Sequence, residues 1–166
     1  MVEETNIHLL DEAGIWKELG TISDPEIPVL SLVDMKIIRG VSLRGRKATI
    51  LFSPTFVGCP ALDQMKSEIR THLAGIGCTE VDIQTVFSPP WSTEMLDDEA
   101  RRKLREFGIA PPLRATEIPA TLMVPATCPF CGSVQTHMES EFGATLCKQI
   151  FYCDDCRQSF ERFKTI

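Results

Sequence analysis

The pattern of apolar and polar positions predicts three helices in the first two thirds of the chain. The first is predicted at about residues 8–20, and the second from Pro60 to about Ala74. A third is predicted near residues 98–107, because Asp97 is a suitable N-cap and the residues after it are rich in charge. The apolar residues of the first two helices recur at helical spacings; they are Ile15, Trp16, Leu19, Leu62, Met65, Ile69 and Leu73.

Three strands are predicted between these helices. Residues 37–53 have the alternation of a hairpin, with a turn at Arg44-Gly45, and residues 81–87 form a third strand that ends before two prolines. The order is therefore α-β-β-α-β-α. The sequence predicts an α+β fold in which a small two-layer α/β domain precedes a different, cysteine-rich unit.

The composition of the chain changes twice, which predicts its domain boundaries. Residues 1–108 hold the α/β domain, and residues 109–127 carry four prolines without periodicity, as expected of an extended linker. Residues 128–166 form a short C-terminal unit. At this length a segment rarely buries enough surface to fold unaided, so a metal or disulfides are expected to stabilise it.

Two Cys-x-x-Cys pairs provide the ligands for such a metal. Cys128 and Cys131 are followed, after 21 residues, by Cys153 and Cys156. Four thiolates at this spacing are typical of a zinc ribbon, with iron in the same geometry as the alternative. A fifth cysteine, Cys147, lies between the pairs; a packed thiol is the favoured interpretation, with replacement of a ligand as the other.

The charge and the N-terminal segment restrict the class of partner. The 166 residues carry a net charge of −6, which disfavours nucleic-acid binding, and no stretch approaches the ~20 apolar residues of a membrane span. The start of the chain lacks the basic and apolar regions of a signal peptide, so a cytoplasmic location with reduced thiols is expected. The sequence leaves a homo-oligomer open.

The C-terminal unit is rich in aromatic residues. Six of the twelve in the chain lie within residues 128–166. We interpret them first as a miniature core around the metal, and alternatively as a docking surface for a partner protein.

The candidate chemistry outside this unit centres on Cys59. It lies between a strand and the helix predicted to begin at Pro60, where unpaired N–H groups would lower the pKa of a thiol. A small buried residue at a strand end is the alternative. Asp24 and Glu26 place two carboxylates on a rigid, proline-bounded loop and are further candidates. The alternative interpretation of this loop is an ordinary solvated turn. Cys78 is expected to be structural.

Few other groups suit acid–base or nucleophilic chemistry. No serine–histidine–aspartate order, phosphate loop or dinucleotide fingerprint is present. Four thiolates around one ion leave no open position for a zinc hydrolase. We therefore expect the chain to have no catalytic activity of its own.

Two groups of motifs resemble known families. DPEIPVLSLVD (24–34) and SPTFVGCPA (53–61) resemble the iron–sulfur assembly domain of bacterial SufT-type proteins and eukaryotic cytosolic iron–sulfur targeting factors. The remaining motifs resemble the D subunits of the bacterial phenylacetyl-CoA epoxidase (phenylacetate-CoA oxygenase) system. They are PPWSTEMLDDEARRKLREFGIAPP (89–112), CPFCGS (128–133), SEFGATLCK (140–148) and YCDDCRQSFERFK (152–164).

This resemblance implies an accessory role in aerobic phenylacetate degradation. The chain would mature or deliver iron or iron–sulfur centres to the oxygenase or its reductase, which are the implied partners, or would be a non-catalytic structural or docking subunit. Cys59 matches the reactive cysteine of the assembly domain, and Asp24 and Glu26 match its acidic loop; these three would hold iron or an iron–sulfur unit transiently. The chain departs from the family pattern at Lys36 and at Thr165, where the family has glycine and cysteine.

Overall fold

The computed structural model describes residues 10–55, 58–117 and 124–166, which form two β-sheets and three α-helices. Within these residues, no helix is long and apolar enough to cross a bilayer. The elements are, in chain order, α1 (Glu12–Leu19), β1 (Ile38–Arg44), β2 (Lys47–Phe52), α2 (Leu62–Gly75), β3 (Glu80–Thr85), α3 (Asp98–Phe107), β4 (Ile109–Ala110), β5 (Thr136–Ser140), β6 (Lys148–Cys153) and β7 (Ser159–Phe163).

The first sheet has the order β1-β2-β3, and the predicted order α-β-β-α-β-α is confirmed. β1 and β2 form the predicted antiparallel hairpin, while β3 lies parallel to β2 because α2 crosses between them. The apolar stripes of α1 and α2 are buried, as their helical spacing predicts, except that Trp16 is 36% exposed and Leu62 is only partly buried. The largest fully buried side chains of this core include Ile15, Leu19, Leu30, Leu32, Ile50, Phe52 and Ile69.

The ends of α2 and α3 test the helix boundaries that were predicted from local sequence. Asp97 caps α3 by accepting from the N–H of Ala100 at 2.9 Å, as predicted. Gly108 ends α3 at φ +93°, a conformation that glycine adopts without a steric cost. The predicted start of α2 at Pro60 is wrong, because the chain makes one further turn and the helix begins at Leu62, with Ala61 as N-cap.

The second sheet has the order β4-β7-β6-β5, with antiparallel pairs between β5, β6 and β7. Its edge strand β4 pairs in parallel with β7. The segment predicted as an extended linker therefore begins with two residues that belong to the sheet. Residues 118–123 of that segment lie outside the described residues, and the domain boundaries stay a prediction.

The two sheets share part of one hydrophobic core. Phe163, in β7, is fully buried in the core of the first sheet, and its ring centroid lies 6.1 Å from that of Trp91. Trp91 donates its indole N–H to the carbonyl of Met35 at 2.7 Å. The last carbonyl of the chain, at Ile166, accepts from the N–H of Thr93 at 3.0 Å. The C-terminal unit is therefore fixed on the first domain at its final strand.

A buried arginine also organises the connection. Arg101, 5% exposed, donates to the carbonyls of Thr93 (2.9 Å), Leu96 (3.2 Å) and Pro112 (2.6 Å). A planar guanidinium suits this task because its donors diverge in fixed directions. One side chain thus satisfies three carbonyls from segments before and after α3.

Some aromatic residues of the C-terminal unit form the predicted miniature core, and others are exposed. Phe151 and Phe160 pack in a small core with Cys128 and Cys153, with ring centroids 5.9 Å apart. Others remain on the surface, since Phe142 is 60% exposed. A small aromatic core is therefore present in the C-terminal unit, but it contains only some of the aromatic residues.

Candidate metal centres

The first candidate centre is formed by the four cysteines of the two Cys-x-x-Cys pairs. Their four sulfur atoms all lie within 4.8 Å of one another. The Cys128 and Cys156 sulfurs are 3.6 Å apart, as are those of Cys131 and Cys153. Around a tetrahedral ion with ~2.3 Å bonds, adjacent sulfurs would be about 3.8 Å apart. The cluster is therefore suited to one metal ion.

Each pair folds as the same tight turn, called a knuckle below. Gly132 donates its N–H to the carbonyl of Cys128 at 2.9 Å, and Arg157 donates to that of Cys153 at 2.8 Å. Both donors follow the second cysteine of their pair and have positive φ, +76° and +60°. A side chain at positive φ is unfavourable, so the closure of the knuckle imposes the conformation of Arg157.

The electrostatics of the cluster favour a cation. The backbone N–H groups of Cys156 and then Asp155 help lower the pKa of the Cys153 thiol to about 7. Desolvation and the neighbouring thiols raise the pKa of Cys156 to about 12. Four thiols this close cannot all ionise without a positive charge between them, which a divalent ion would supply.

The second candidate centre begins at the loop that carries Asp24. Asp24 is 3% exposed, and its Oδ1 accepts from the N–H of Glu26 at 2.8 Å and of Ile27 at 2.9 Å. Its own N–H donates to the carbonyl of Leu30 at 2.8 Å. Burial raises the pKa of this carboxyl despite the two N–H donors. The loop is therefore an ordered turn around a buried acid, not the solvated turn of the alternative interpretation.

The charges of the same two carboxylates act on Cys59. It is 6% exposed and lies in the core that the first domain shares with the C-terminal unit. Burial raises the pKa of its thiol, the charges of Glu26 and Asp24 add to this, and the N–H groups of Ala61 and Leu62 offset only part. The predicted low pKa is wrong, because burial and two nearby acids outweigh the helix terminus. Folding therefore favours the protonated form of the Cys59 thiol.

A residue that the sequence did not connect with this loop also reaches it. Cys147, 5% exposed, donates its S–H to Oε2 of Glu26 at 3.3 Å, across 121 residues of sequence. Its sulfur also lies 3.1 Å from the hydroxyl of Thr145. Cys147 packs in the core with Cys59, so the packed-thiol interpretation describes its burial but misses its carboxylate partner. No local spacing signals this contact, since the fold alone creates it.

The loop that presents Cys147 is held from both sides. The N–H of Gly143 donates to the carbonyl of Lys148 at 2.8 Å, and the Lys148 ammonium pairs with Glu161 at 2.7 Å. The N–H of Lys164 donates to the Cys147 carbonyl at 2.9 Å. A Cβ at Gly143 would lie 3.0 Å from the Glu161 carboxylate and 3.3 Å from the Lys148 backbone, so glycine permits the close approach. The position of the Cys147 thiol is thus set by backbone contacts.

Cys78, the other buried cysteine of the first domain, has a different setting. It is also 6% exposed, and burial raises the pKa of its thiol while the charge of Arg46 lowers it in part. The two thiols of the first domain are therefore alike in burial and differ in the sign of the charges that act on them.

Comparison with known proteins assigns each half of the chain to a family. Residues 12–84 match the family described as iron–sulfur cluster assembly protein. Residues 116–164 match the family described as PaaD zinc beta ribbon domain. The first match includes Asp24, Glu26 and Cys59, and the second includes the four-cysteine cluster and Cys147. By class, the chain is an iron–sulfur cluster assembly-type domain joined to a zinc ribbon.

Two similar proteins identify the family of the chain more specifically. The chain is 41% identical over 152 residues, 92% of each chain, to the D subunit of the Escherichia coli protein named "Putative 1,2-phenylacetyl-CoA epoxidase". It is 32% identical to the Fe-S protein maturation auxiliary factor of Porphyromonas gingivalis, over 60% of this chain and 95% of that one. The chain belongs to the family of the phenylacetyl-CoA epoxidase D subunits.

Solved structures agree for the first domain. A Bacillus anthracis domain of unknown function (DUF59) superposes with a TM-score of 0.53 at 26% identity, over 56% of this chain and 90% of that one. A conserved hypothetical protein of Thermotoga maritima, 22% identical, shares the fold with a TM-score of 0.50, over 57% and 94%. The resemblance inferred from the motifs and the α+β class are both confirmed.

Proposed function

We propose that this chain is an accessory protein of the phenylacetyl-CoA epoxidase system, which matures or delivers iron or iron–sulfur centres to the oxygenase or its reductase. The observation that carries the proposal is that Cys59 and Asp24 are both buried in the first domain and that the charges of Asp24 and Glu26 act on the Cys59 thiol. A buried thiol near two carboxylates offers soft and hard ligands to one iron atom or to an exposed iron of a cluster. The families of both halves and the names of the relatives support this assignment.

The raised pKa of Cys59 fits a carrier better than a permanent cofactor site. Without cargo the thiol is protonated, so it does not compete for metal as a preformed thiolate would. Cargo binding displaces the proton, and release restores the neutral thiol.

The C-terminal cluster has a different proposed role. Cys128, Cys131, Cys153 and Cys156 would hold a structural zinc ion, with iron as the alternative, and so fold the ribbon. All four ligands are protein thiolates, which leaves no position open for substrate. Elemental analysis of the purified protein, with an absorption spectrum, distinguishes colourless zinc from coloured iron in this cluster.

The experiment for the carrier role is client loading in cells. The oxygenase and its reductase are produced with either the wild-type chain or Cys59→Ser, and the iron per client is measured after purification. We expect severalfold less iron with Cys59→Ser and normal iron with the control Cys78→Ser, a thiol that is equally buried but is acted on by the charge of Arg46 instead of the two acids. Normal loading with Cys59→Ser would overturn the proposal.

A structural or docking role is the second candidate, favoured by the exposed apolar side chains of the ribbon. Phe130, Val134, Phe142 and Leu146 are each more than half exposed, and such residues are enriched in protein interfaces. Stoichiometric co-purification with the active oxygenase would favour this role over the carrier role. A carrier would instead be needed during assembly and be absent from the mature complex.

A further inference from the structure

We propose that Cys147 of the ribbon is a further ligand of the iron-handling site, so that the cargo is held by Cys59, Cys147 and Glu26 together. This inference rests on the proposed function and deepens it, because it assigns the ribbon a ligand at the site of the assembly domain. It differs from the lone-cysteine site that the first domain would have by itself.

The geometry places Cys147 and Glu26 as two ligands of one ion. The sulfur and the carboxylate oxygen lie 3.3 Å apart. Around a tetrahedral ion with a ~2.3 Å bond to sulfur and a ~2.0 Å bond to oxygen, the two atoms would be about 3.5 Å apart. The hydrogen bond from Cys147 to Glu26 thus holds the pair near its liganding separation.

Thr145 supports the thiolate form of Cys147. Since the S–H of Cys147 is directed at Glu26, the Thr145 hydroxyl, 3.1 Å away, acts as the donor to the sulfur. That donor stays in place after the proton leaves, and it helps to stabilise the negative charge. The site therefore has the outer hydrogen bond typical of metal-ligating side chains.

The third ligand, Cys59, is in the same core but not yet in contact. Among the described residues, the four-cysteine cluster is the one set whose ligand atoms all lie within 4.8 Å of one another. Cys59, Cys147 and Glu26 therefore form a complete set only when the Cys59 side chain moves toward the Cys147–Glu26 pair. The charges of Glu26 and Asp24 act on both thiols, which lie in the same hydrophobic core.

Binding is a proton-for-metal exchange without redox chemistry. A divalent ion forms bonds to two sulfurs and one carboxylate oxygen, and the two S–H protons pass to solvent. The set is borderline-soft, which suits ferrous iron.

Cobalt(II) bound to the full chain tests the ligand set. The ribbon is first loaded with zinc, which cobalt displaces poorly because zinc binds more tightly to such sites. Added Co²⁺ should then give thiolate-to-cobalt absorption from the second site. We expect about half of this absorption in Cys147→Ser and in Cys59→Ser, none in the double variant, and the full signal in Cys78→Ser.

A measurement on the wild-type protein avoids any folding defect of the variants. Cobalt-edge X-ray absorption should count two sulfur neighbours for the second-site ion. One sulfur neighbour, or full absorption in Cys147→Ser with none in Cys59→Ser, would overturn the inference and leave the Cys59 carrier proposal intact. Absence of a second-site ion would also overturn it, while client loading with Cys59→Ser decides the carrier proposal separately.

Discussion

The two cysteine clusters of this protein differ in how they are built and in what they can hold. The ribbon cluster draws four thiols from two knuckles that repeat one hydrogen-bonding pattern. The second cluster draws two thiols and two carboxylates from three segments that are far apart in sequence. A closed set of four like ligands suits a permanent structural ion, whereas a mixed, incomplete set suits an ion in transit.

Among the substitutions that test this difference between the clusters, the removal of one ribbon ligand should have the largest effect. Cys153→Ser should abolish stoichiometric zinc and unfold the ribbon, because structural zinc supplies on the order of 10 kcal/mol of apparent folding free energy. Cys59→Ser should leave the zinc content unchanged. Zinc analysis and thermal unfolding of the two variants check the prediction. Full zinc occupancy in Cys153→Ser would contradict the assignment of a closed four-thiolate site.

Removing the Phe163 side chain, which packs the ribbon against the first domain, should have the next largest effect on stability. Phe163 belongs to the ribbon sheet but is fully buried in the core of the first domain. Phe163→Ala should lower the free energy of unfolding by about 3–5 kcal/mol, as expected for a large aromatic side chain removed from a core. Phe142→Ala, at a site 60% exposed, should change it by less than about 0.5 kcal/mol. Urea unfolding measures both.

The outcome for Phe163→Ala also tests whether the two regions fold together. A single transition in both wild type and variant would show that the ribbon and the first domain are one cooperative unit. If unfolding separates into two transitions only in the variant, Phe163 is a principal link between them. An unchanged stability would contradict the shared core.

The contrast between the clusters also explains what could be predicted from sequence. The ribbon ligands are close in sequence, so spacing alone indicated them, and the apolar periodicities of α1 and α2 indicated the core. The contact between Cys147 and Glu26 depends on how the ribbon packs against the first domain, and no local pattern encodes it. The pKa of Cys59 was predicted in the wrong direction because burial is a property of the folded core.

Alkaline pH should weaken the folded protein through Cys147. Burial raises the pKa of its thiol to about 12 in the folded chain, from the ordinary value of 9.0 in the unfolded chain. Above pH 9 the unfolded thiol releases its proton while the folded one keeps it, so stability falls as pH rises. We expect a loss of about 1.4 kcal/mol per pH unit from this group between pH 9 and 12.

The matched variant isolates this contribution from those of the other thiols. Cys147→Ala removes the group, so the difference in unfolding free energy between wild type and variant should change with pH above 9 and be constant below it. Urea unfolding at several pH values measures the difference. A difference that is independent of pH up to 11 would show that the thiol is not buried beside the two acids.

Asp24→Asn should have the smallest effect on stability, and it tests whether Asp24 serves iron delivery or folding. Burial raises the pKa of Asp24, so at neutral pH its ionised form weakens the fold. Asp24→Asn keeps an oxygen to accept from the N–H groups of Glu26 and Ile27 and removes the buried charge. It should therefore stabilise the protein by about 0.5–1 kcal/mol at pH 7, while lowering iron delivery to the client. The gain should vanish as pH falls and wild-type Asp24 becomes protonated. A loss of stability at pH 7 together with normal delivery would mean that the buried acid serves the loop and not the cargo. A gain in stability together with impaired delivery would show that the charge is retained for the cargo at a cost to folding.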